Sequence, residues 1–564
     1  EIYTLSLHDA LPIYDCVDTP WIIKSGNIKM LLESMKAGKA GEPLHIATHL
    51  SNLLKVCDKV TVRYDAGDGL IIVADSLSLD QRNEIAIELI KGLEIGEYEY
   101  SKYIPKYLGK LSLKLHEEDF REIVRELKKL TEVSNQRVVL VALDTLIYIL
   151  KNMDEDNPSA YSETENILGI LLKGIANYNP HISREAFALI GNKIFGDTNI
   201  DLYRRYHYFN IIYKKMTVLI EDRSEEELTF FNSGAALNNI YRFISEYLFQ
   251  EGNMQLRENR KIAFFPGTYD PFSAGHHEIA NIIRNRGFEV YLAVDEFSWS
   301  KKVQPRKIRQ KIVTMSTAQE KDIYVFPANE PINIANEDNI KTLKKIWKNK
   351  ELYIVVGSDV VRNALSYKKP ATKHSVQSLN HIIFSRQKKG SDSIETTDYS
   401  TIRGNIIELN LPPYLEDVSS TKIRDNIDMN RDISNIIDRM SQNYIYEQGL
   451  YNREPQYKSL VESEFLEIEN IEIDSFKKIK GLPSDWESGL LWQYLNMENT
   501  GMLLIRDSRQ EDAVIAMACV KDIATSELYG EFQNFSLASK IRKMTSGRRS
   551  EEHTSELQSH DCIS

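Results

Sequence analysis

The 564-residue chain contains few cysteines and has no long apolar run. Its four cysteines lie far apart with no CxxC pair, which argues against both a zinc ribbon and a disulfide framework and predicts incidental or buried thiols in a reducing cytoplasm. The longest apolar segment, residues 138–150, is interrupted by Asp144 and is shorter than the roughly 18 residues that cross a bilayer. The first residues also lack the pattern of a secretory signal. We therefore expect a cytoplasmic protein without a membrane span. The cysteines are Cys16, Cys57, Cys519 and Cys562.

The chain also lacks an excess of positive charge. Lys and Arg number 70 against 82 Asp and Glu, for a net charge of −12, so a generally basic, nucleic-acid-binding surface is not expected. The contents of 42% hydrophobic and 27% charged residues are typical of globular proteins and argue against wholesale disorder. At about 150 residues per domain, the length predicts three or four domains, and one active site would occupy only part of the chain.

Both ends of the chain differ in character from the rest. Residues 1–13, EIYTLSLHDALPI, and residues 549–560, RSEEHTSELQSH, each resemble a translated sequencing-library adapter. The alternative is a pair of ordinary polar tails. We interpret residues 1–13 and 549–564 as artefacts that flank an open fragment of a longer gene and that carry no information about the fold.

Residues 14–255 predict a helical region. Apolar residues recur at three- and four-residue spacing in successive segments, and the predicted helix pairs repeat about every 36 to 45 residues, close to the HEAT and armadillo range. The period favours a short α-solenoid, and a plain helical bundle is the alternative. Because stacked repeats present a concave surface, we expect this region to bind a protein partner or to pack on a neighbouring domain. The amphipathic segments are residues 85–93, 104–115, 120–130, 138–150, 167–175 and 182–195.

From residue 256 to 452 the pattern changes to short apolar runs that alternate with helical segments, as in a parallel α/β sheet. The predicted strands are residues 262–265, 290–294, 323–326, 353–356 and 382–384, with a helix over 277–286. Residues 453–548 predict a further α/β segment, in which 501–506 and 513–520 form a hairpin after a helix over 484–497. This last segment resembles the opening half of a GNAT-type acyltransferase, without its acetyl-CoA-binding turn.

One stretch of the α/β region carries the chemistry. The sequence FPGTYDPFSAGH, residues 265–276, follows a predicted strand and opens a predicted helix, which is where α/β folds bind phosphate groups. Gly267 lets the backbone approach a triphosphate closely, and the helix that begins near Gly275 directs unpaired N–H groups toward anionic oxygens. His276 at the start of that helix can donate a hydrogen bond to a phosphate during displacement.

This stretch resembles the G-x-F-D-P-x-H/T-x-G-H motif of the nucleotidyltransferase superfamily that contains the cytidylyltransferases, phosphopantetheine adenylyltransferase and the nicotinate- or nicotinamide-mononucleotide adenylyltransferases. Two positions depart from the motif: Tyr269 replaces the usual Phe, and Ser273 occupies the first His/Thr position. A second segment, DVSSTKIR at residues 417–424, resembles the family's ISSTxIR motif. The resemblance implies that this motif places hydroxyl and N–H groups at another helix start, with Arg424 over the β- and γ-phosphates.

Finer features resemble the mononucleotide adenylyltransferase branch. Gly357 and Asp359 resemble its G-x-D, whose aspartate contacts the adenosine ribose; Tyr367 falls where those enzymes often stack a tryptophan on the pyridine ring; and Arg386 ends a strand as theirs does. Residues 297–311 hold six basic side chains and no acid, and a family loop at that point brings lysine to the phosphates. The implied catalytic residues are Ser273, His276, Lys302 and Arg424; the implied nucleotide-binding residues are Gly267, Thr268, Tyr269, Asp270, Gly275, Gly357, Asp359, Arg386, Ser419, Ser420 and Thr421; and the implied acceptor-binding residues are Lys301 and Tyr367.

The resemblance implies an enzyme that transfers AMP from ATP to the 5′-phosphate of nicotinate or nicotinamide mononucleotide and releases pyrophosphate. Mg²⁺ would arrive with ATP as part of the substrate, and no tightly bound metal or prosthetic group is expected. Two alternatives stay open: transfer to another phosphorylated acceptor, and a non-catalytic scaffold that senses a nucleotide. The expected architecture is a HEAT-like α-solenoid, a Rossmann-like nucleotidyltransferase domain with a parallel sheet, and a truncated α/β segment.

Overall fold

The computed structural model describes most of the first four-fifths of the chain and parts of the remainder. The described residues are 20–38, 41–153, 158–221, 227–295, 303–327, 332–385, 399–410, 418–429, 431–452, 466–471, 496, 500–507, 513–521 and 559–560. Two compact units divide between Tyr451 and Asn452. Among the described residues, no helix is long and apolar enough to cross a membrane.

The first part of unit one is helical, as the apolar periodicity predicts. Its helices are α1 (Trp21–Lys36), α2 (Pro43–Val56), α3 (Val60–Val73), α4 (Leu79–Ile95), α5 (Tyr98–Ser101), α6 (Ile104–Ser112), α7 (Glu117–Thr131), α8 (Gln136–Asn152), α9 (Pro158–Ile175), α10 (Pro180–Ile190), α11 (Leu202–Glu221) and α12 (Glu227–Glu251). The main contacts join helices that are one to four places apart in the chain. Such neighbour-to-neighbour stacking is consistent with the expected HEAT-like arrangement.

Helix α7 shows why these segments fold as they do. Its buried residues recur every three or four positions, so one apolar stripe faces the core. The first turn carries Glu117, Glu118 and Asp119, and the last turn carries Lys128 and Lys129. Acidic groups near the amino end and basic groups near the carboxyl end stabilise the helix dipole, typically by about 0.3–1 kcal/mol each.

The rest of unit one is a sheet domain. Its elements are β1 (Lys261–Gly267), α13 (Ala274–Asn285), β2 (Glu289–Val294), α14 (Arg306–Thr317), β3 (Ile323–Val325), α15 (Glu337–Ile346), β4 (Glu351–Gly357), α16 (Ser358–Asn363), α17 (Leu365–Lys368), β5 (Asn380–Ser385), β6 (Ile406–Asn410), α18 (Ser420–Asp428) and α19 (Arg439–Glu447). The five strands expected from sequence are present, and β6 was not predicted.

The six strands form one sheet in the order β3-β2-β1-β4-β5-β6, and every adjacent pair is parallel. This is the strand order of doubly wound nucleotide-binding sheets, whose ligands bind beyond the carboxyl ends of the strands where the order reverses. Here the reversal lies between β1 and β4. Residues of β1 alternate between the two faces: Ala263 and Phe265 join one core cluster, and Ile262 and Phe264 join the other, as expected for a sheet that is covered on both sides.

The helical region packs directly on the sheet domain. Lys215 of α11 donates to the carbonyl oxygen of Thr317 at 2.9 Å and to that of Ile323. Lys173 of α9 contacts Glu132 at 2.7 Å and Asp438 at 2.5 Å. Of the two expectations for this region, packing on a neighbouring domain is the one that the structure shows.

Unit two contains a second, antiparallel sheet of β7 (Leu466–Ile471), β8 (Thr500–Asp507), β9 (Ala513–Lys521) and β10 (Ser559–His560), in the order β10-β9-β8-β7. Strands β8 and β9 pair as the expected hairpin. The helix predicted over 484–497 falls almost entirely outside the described residues, as do both presumed adapter segments apart from β10, so these expectations remain predictions.

Candidate nucleotide-binding site

The first motif begins where β1 ends. Gly267 is the last residue of β1, the next six residues cross the edge of the sheet, and α13 starts at Ala274. Because β1 borders the reversal in strand order, this loop lies at the position where doubly wound sheets bind nucleotides. The motif is therefore on the edge and at the strand that the sequence predicted for it.

Ser273 and His276 form a capping box at the start of α13. The Ser273 backbone N–H donates to Nδ1 of His276 at 3.1 Å, the two side chains approach to 2.9 Å, and the His276 N–H donates to Oγ of Ser273 at 3.4 Å. A backbone N–H can only donate, so Nδ1 of His276 must accept. The proton of the neutral imidazole is thus held on Nε2, which becomes a hydrogen-bond donor.

Tyr269 is a buried residue that packs within the first motif. Its side chain is 2% exposed, its hydroxyl donates to the Phe265 carbonyl at 2.7 Å, and its ring meets the His276 ring edge-on at 5.2 Å between centroids. A Cβ at position 267 would lie 2.8 Å from this ring, so Gly267 is required by close packing. Burial, and then the nearby charge of Asp295, raises the pKa of Tyr269 well above its usual value.

The second motif touches the first. Ser419 caps α18 by accepting from the Lys422 N–H at 3.2 Å, and the Ser420 hydroxyl donates to the Pro271 carbonyl at 2.8 Å. A Cβ on Gly275 would meet the Val418 carbonyl oxygen at 2.9 Å. The two segments that resemble family motifs therefore form one continuous surface.

Arg424 connects the second motif to the first loop. Its guanidinium donates to the carbonyl oxygen of Asp270, lies 3.8 Å from the Asp270 carboxylate, and donates to Oγ1 of Thr421 at 3.3 Å. Its side chain is 28% exposed, whereas that of Asp270 is 6% exposed. The structure thus holds this cation at the site while part of it faces solvent.

Two arginines in the basic segment have roles that the sequence did not indicate. Arg309 is fully buried and donates to the carbonyl oxygens of Gln304, Thr268 and Asp295. Arg306 donates to the Val294 carbonyl at 3.1 Å. Both side chains donate to backbone carbonyls at the ends of strands and loops, and Arg309 has no exposed surface that could face a phosphate or solvent. Nothing in the spacing of the six basic residues distinguishes the buried one.

Asp295 is a residue of the site that sequence reasoning missed. It follows β2 directly, and its N–H donates to the Gly267 carbonyl at 3.0 Å. Burial raises the pKa of the Asp295 carboxyl group to about 6, against the opposing charges of Arg309 and Arg306. Its position immediately after a predicted strand was the available signal, since carboxyl ends of parallel strands meet at one edge.

The G-x-D segment lies at the other side of the reversal. Gly357 ends β4 and Asp359 is exposed in the first turn of α16. A Cβ on Gly357 would come within 2.3 Å of the Asp359 carboxylate, so glycine leaves room for this side chain. Because β4 is the parallel neighbour of β1, Asp359 lies at the same edge of the sheet as the first motif.

Tyr367 has a different position from the one expected. Its side chain is 4% exposed and belongs to the core cluster on the opposite face of the sheet from Tyr269. Its hydroxyl pairs with Nε2 of the fully buried His381 at 2.9 Å. The expectation of a ring that stacks on an acceptor is wrong, because the ring is occupied in core packing.

Three expected site residues, Lys301, Lys302 and Arg386, lie outside the described residues. Within the described part of the chain, no group of three or more His, Cys, Asp or Glu side chains is arranged to hold a metal ion. The described candidate site consists of two loops, two helix starts, Asp295, Asp359 and Arg424.

Comparison with known proteins matches this part of the chain. Residues 264–426 match the protein family described as Cytidylyltransferase-like. A Clostridium tetani protein named "Probable nicotinate-nucleotide adenylyltransferase" is 27% identical over 207 residues, covering 34% of this chain and 99% of the relative. A Dictyoglomus turgidum protein of the same name is 25% identical over 206 residues, covering 35% and 98%.

Among solved structures, Plasmodium falciparum nicotinic acid mononucleotide adenylyltransferase complexed with NaAD aligns at 19% identity and a TM-score of 0.29, covering 34% of this chain and 98% of its own. The full length of the curated relatives thus corresponds to about a third of this chain. Residues 264–426 thus resemble a cytidylyltransferase-like domain, and this match together with the adenylyltransferase relatives supports a nucleotidyltransferase enzyme.

Proposed function

We propose that the sheet domain transfers AMP from ATP to the 5′-phosphate of nicotinate mononucleotide, releasing pyrophosphate and forming deamido-NAD. The observation that carries this proposal is the contact between the two motifs at the strand-order reversal, where Ser420 binds Pro271 and Arg424 binds Asp270. The acceptor is proposed from the names of the relatives in Clostridium tetani and Dictyoglomus turgidum.

The reaction is an in-line displacement at phosphorus. A 5′-phosphate oxygen of the acceptor attacks the α-phosphorus of ATP, the bond from that phosphorus to the bridging oxygen of the β-phosphate breaks, and pyrophosphate leaves with the electron pair. Positioning and stabilisation of the developing negative charge supply most of the rate in such a reaction. Mg²⁺ belongs to the ATP substrate and is bound mainly by phosphate oxygens and water.

We assign His276 the role of hydrogen-bond donor to the reacting phosphate through Nε2, whose proton is fixed by the capping box. Ser273 positions that ring, and Arg424 supplies the cation that faces the β- and γ-phosphates, with Lys302 as a second. The acceptor-binding role proposed for Lys301 also remains a proposal. The nucleotide itself is proposed to contact Gly267, Thr268, Tyr269, Asp270, Gly275, Gly357, Asp359, Arg386, Ser419, Ser420 and Thr421.

The test uses the full chain with Mg-ATP and measures pyrophosphate release with single acceptors. The panel is nicotinate mononucleotide, nicotinamide mononucleotide, phosphopantetheine and glycerol 3-phosphate, with a reaction lacking acceptor as background. We expect nicotinate mononucleotide to give the highest kcat/KM and a product with the mass of deamido-NAD. Faster turnover with another acceptor would show that nicotinate mononucleotide is not the preferred substrate. ATP binding without turnover of any acceptor would show that the domain senses a nucleotide and does not catalyse this reaction.

A histidine pair provides the control for the catalytic assignment. His276→Ala should lower kcat/KM by about 10²–10³-fold, the usual cost of losing one donor to a developing charge. His181 lies at the start of α10 in the helical region, where it contacts Gln136 at 2.9 Å, and His181→Ala should retain wild-type kcat/KM. Equal activity of the two variants would contradict the role of His276.

A further inference from the structure

Arg309 is the most deeply buried charged side chain beside the site, with no exposed surface. It belongs to α14, which has no residue in either motif, and it carries none of the implied substrate contacts. Burial lowers the pKa of its guanidinium, and the negative charges of Asp270 and Asp295 oppose that effect. A buried cation at this position requires a structural reason, because removing a charge from water costs several kcal/mol unless hydrogen bonds compensate.

The compensation comes from three separate segments. Nε of Arg309 donates to the Gln304 carbonyl at 2.7 Å, one Nη donates to Thr268, and the other donates to Asp295 at 2.8 Å. Thr268 lies in the first motif, Asp295 follows β2, and Gln304 precedes α14. One guanidinium therefore ties together the three chain segments that border the carboxyl end of β1.

The bond to Thr268 determines how the loop faces a ligand. In a trans peptide the C=O and the following N–H point in opposite directions. With the Thr268 carbonyl turned toward Arg309, the N–H of Tyr269 is directed away from Arg309. A guanidinium fixes this orientation well, since its planar donors are rigidly spaced, which the single ammonium of lysine cannot reproduce.

A second contact extends the effect to Asp270. The Gln304 N–H donates to the Asp270 carboxylate at 3.2 Å. Gln304 therefore binds Arg309 through its carbonyl and Asp270 through its N–H. Arg309 binds the carbonyl of residue 268 and Arg424 binds that of residue 270. The loop is thus fixed at alternate residues by two arginines from different helices.

We propose that Arg309 is a positioning residue for nucleotide binding, which sets the conformation of the loop at residues 268–270 without touching the substrate. The inference deepens the proposed function and rests on it, because the loop is taken to bind ATP. Helix α14, which lies outside both motifs, would then contribute to the site through Arg309. Loss of Arg309 would leave the motif residues present but misplaced.

The test compares two buried arginines that both bind backbone carbonyls. Arg63 in α3 is 2% exposed and donates to the carbonyls of Cys57 and Glu99, far along the chain from the motifs. Arg309→Met and Arg63→Met should both lower the unfolding midpoint. Only Arg309→Met should raise the KM for ATP and the Kd of a non-hydrolysable ATP analogue, by at least tenfold, measured on the folded fraction isolated by gel filtration.

Arg309→Lys is the second variant, and it covers the case in which Arg309→Met does not fold. It retains the positive charge and loses the three-way geometry, so we expect the same direction of change in KM and Kd. Unchanged ATP affinity in every folded Arg309 variant, or an equal loss in Arg63→Met, would overturn the proposal. The Kd measurement needs no acceptor, so the role of Arg309 can be tested even if the protein does not turn over nicotinate mononucleotide. Failure of that turnover would refute only the proposed reaction. A wild-type protein that binds no ATP analogue would overturn both the proposed reaction and the role of Arg309.

Discussion

Ser273 and His276 show how a departure from a family motif acquires a physical role at the scale of a residue. The motif offers histidine or threonine where this chain has Ser273, which cannot contribute an imidazole. The structure instead uses the hydroxyl and backbone of Ser273 to cap α13 and to hold Nδ1 of His276. The residue thus orients the donor that the proposed mechanism requires.

We predict that Ser273→Ala lowers the free energy of unfolding by about 1 kcal/mol, the typical cost of losing an N-cap side chain, and also lowers kcat/KM. Ser78 forms the equivalent capping box with Gln81 at the start of α4, and Ser78→Ala is the matched control. It should lose similar stability in urea unfolding and keep wild-type kcat/KM. A similar fall in kcat/KM for both variants would show that the effect of Ser273 is only structural.

The position of Tyr367 gives a second residue-scale prediction. Because its hydroxyl pairs with buried His381 at 2.9 Å, Tyr367→Phe should cost about 1 kcal/mol of unfolding free energy, the usual net value of a hydrogen bond, or more if His381 is left unpaired. The KM for the mononucleotide should not change. A stable Tyr367→Phe protein, combined with a raised KM in Tyr367→Leu, would instead restore the stacking role.

At the scale of elements, apolar patterns predicted most of the sheet domain, and local context decided the rest. Strand β4 is a nearly continuous apolar run that is buried along six of its seven residues, so its sequence signal is strong. Strand β6 has only five residues and includes Glu408 and Asn410, so its apolar signal in the sequence is weak. Its strand conformation is stabilised by parallel pairing with β5. Likewise, the two motifs were predictable from residue order, whereas the buried position of Arg309 depends on packing between distant segments.

A glycine contact between helices gives the prediction at this scale. A Cβ on Gly67 of α3 would lie 2.2 Å from the ring of Tyr107 in α6, and Tyr107 is fully buried. Gly67→Ala should therefore destabilise the helical region by about 1–3 kcal/mol, the typical cost of overpacking. Gly26 in α1 has no atom within 4 Å of the corresponding Cβ, so Gly26→Ala should stabilise by up to about 1 kcal/mol through helix propensity. Urea unfolding followed by circular dichroism would contradict this account if the two substitutions had the same sign.

At the scale of the molecule, the helical region and the sheet domain form one compact unit. Lys173 illustrates the connection: burial alone would lower its pKa, but the carboxylates of Asp438 and Glu132 outweigh burial and raise it. Asp438 also caps α19, so the same carboxylate serves both parts. Periodicity indicated a stacked helical region, but it could not show which surface would cover the sheet domain, because that choice depends on single polar contacts between residues far apart in sequence.

Lys215 also connects the two parts, but its pKa is lowered where that of Lys173 is raised. Its ammonium is bound by two carbonyl oxygens, and burial lowers its pKa to about 7; Glu320 and Asp322 oppose the shift, whereas Arg284 adds to it. Its Nζ also lies 5.2 Å from the centroid of the Tyr324 ring. A neutral amine has two N–H groups, which is enough for both carbonyls, so the deprotonated form fits this site.

The sign of the resulting pH dependence follows from proton binding. Between the lowered pKa of about 7 and the ordinary lysine value, the unfolded chain binds more protons than the folded one, so stability rises with pH in that window. From pH 7 to 9 the unfolding free energy of wild type, relative to Lys215→Met, should increase by about 2 kcal/mol. The helices of the described residues all lie within residues 21–447, so urea unfolding at 222 nm follows this unit. Lys214→Met, which removes a lysine paired with Glu289 at 2.5 Å, is the control and should show a much smaller change. If the difference in unfolding free energy between wild type and Lys215→Met does not vary with pH, the buried amine does not titrate between the helical region and the sheet domain.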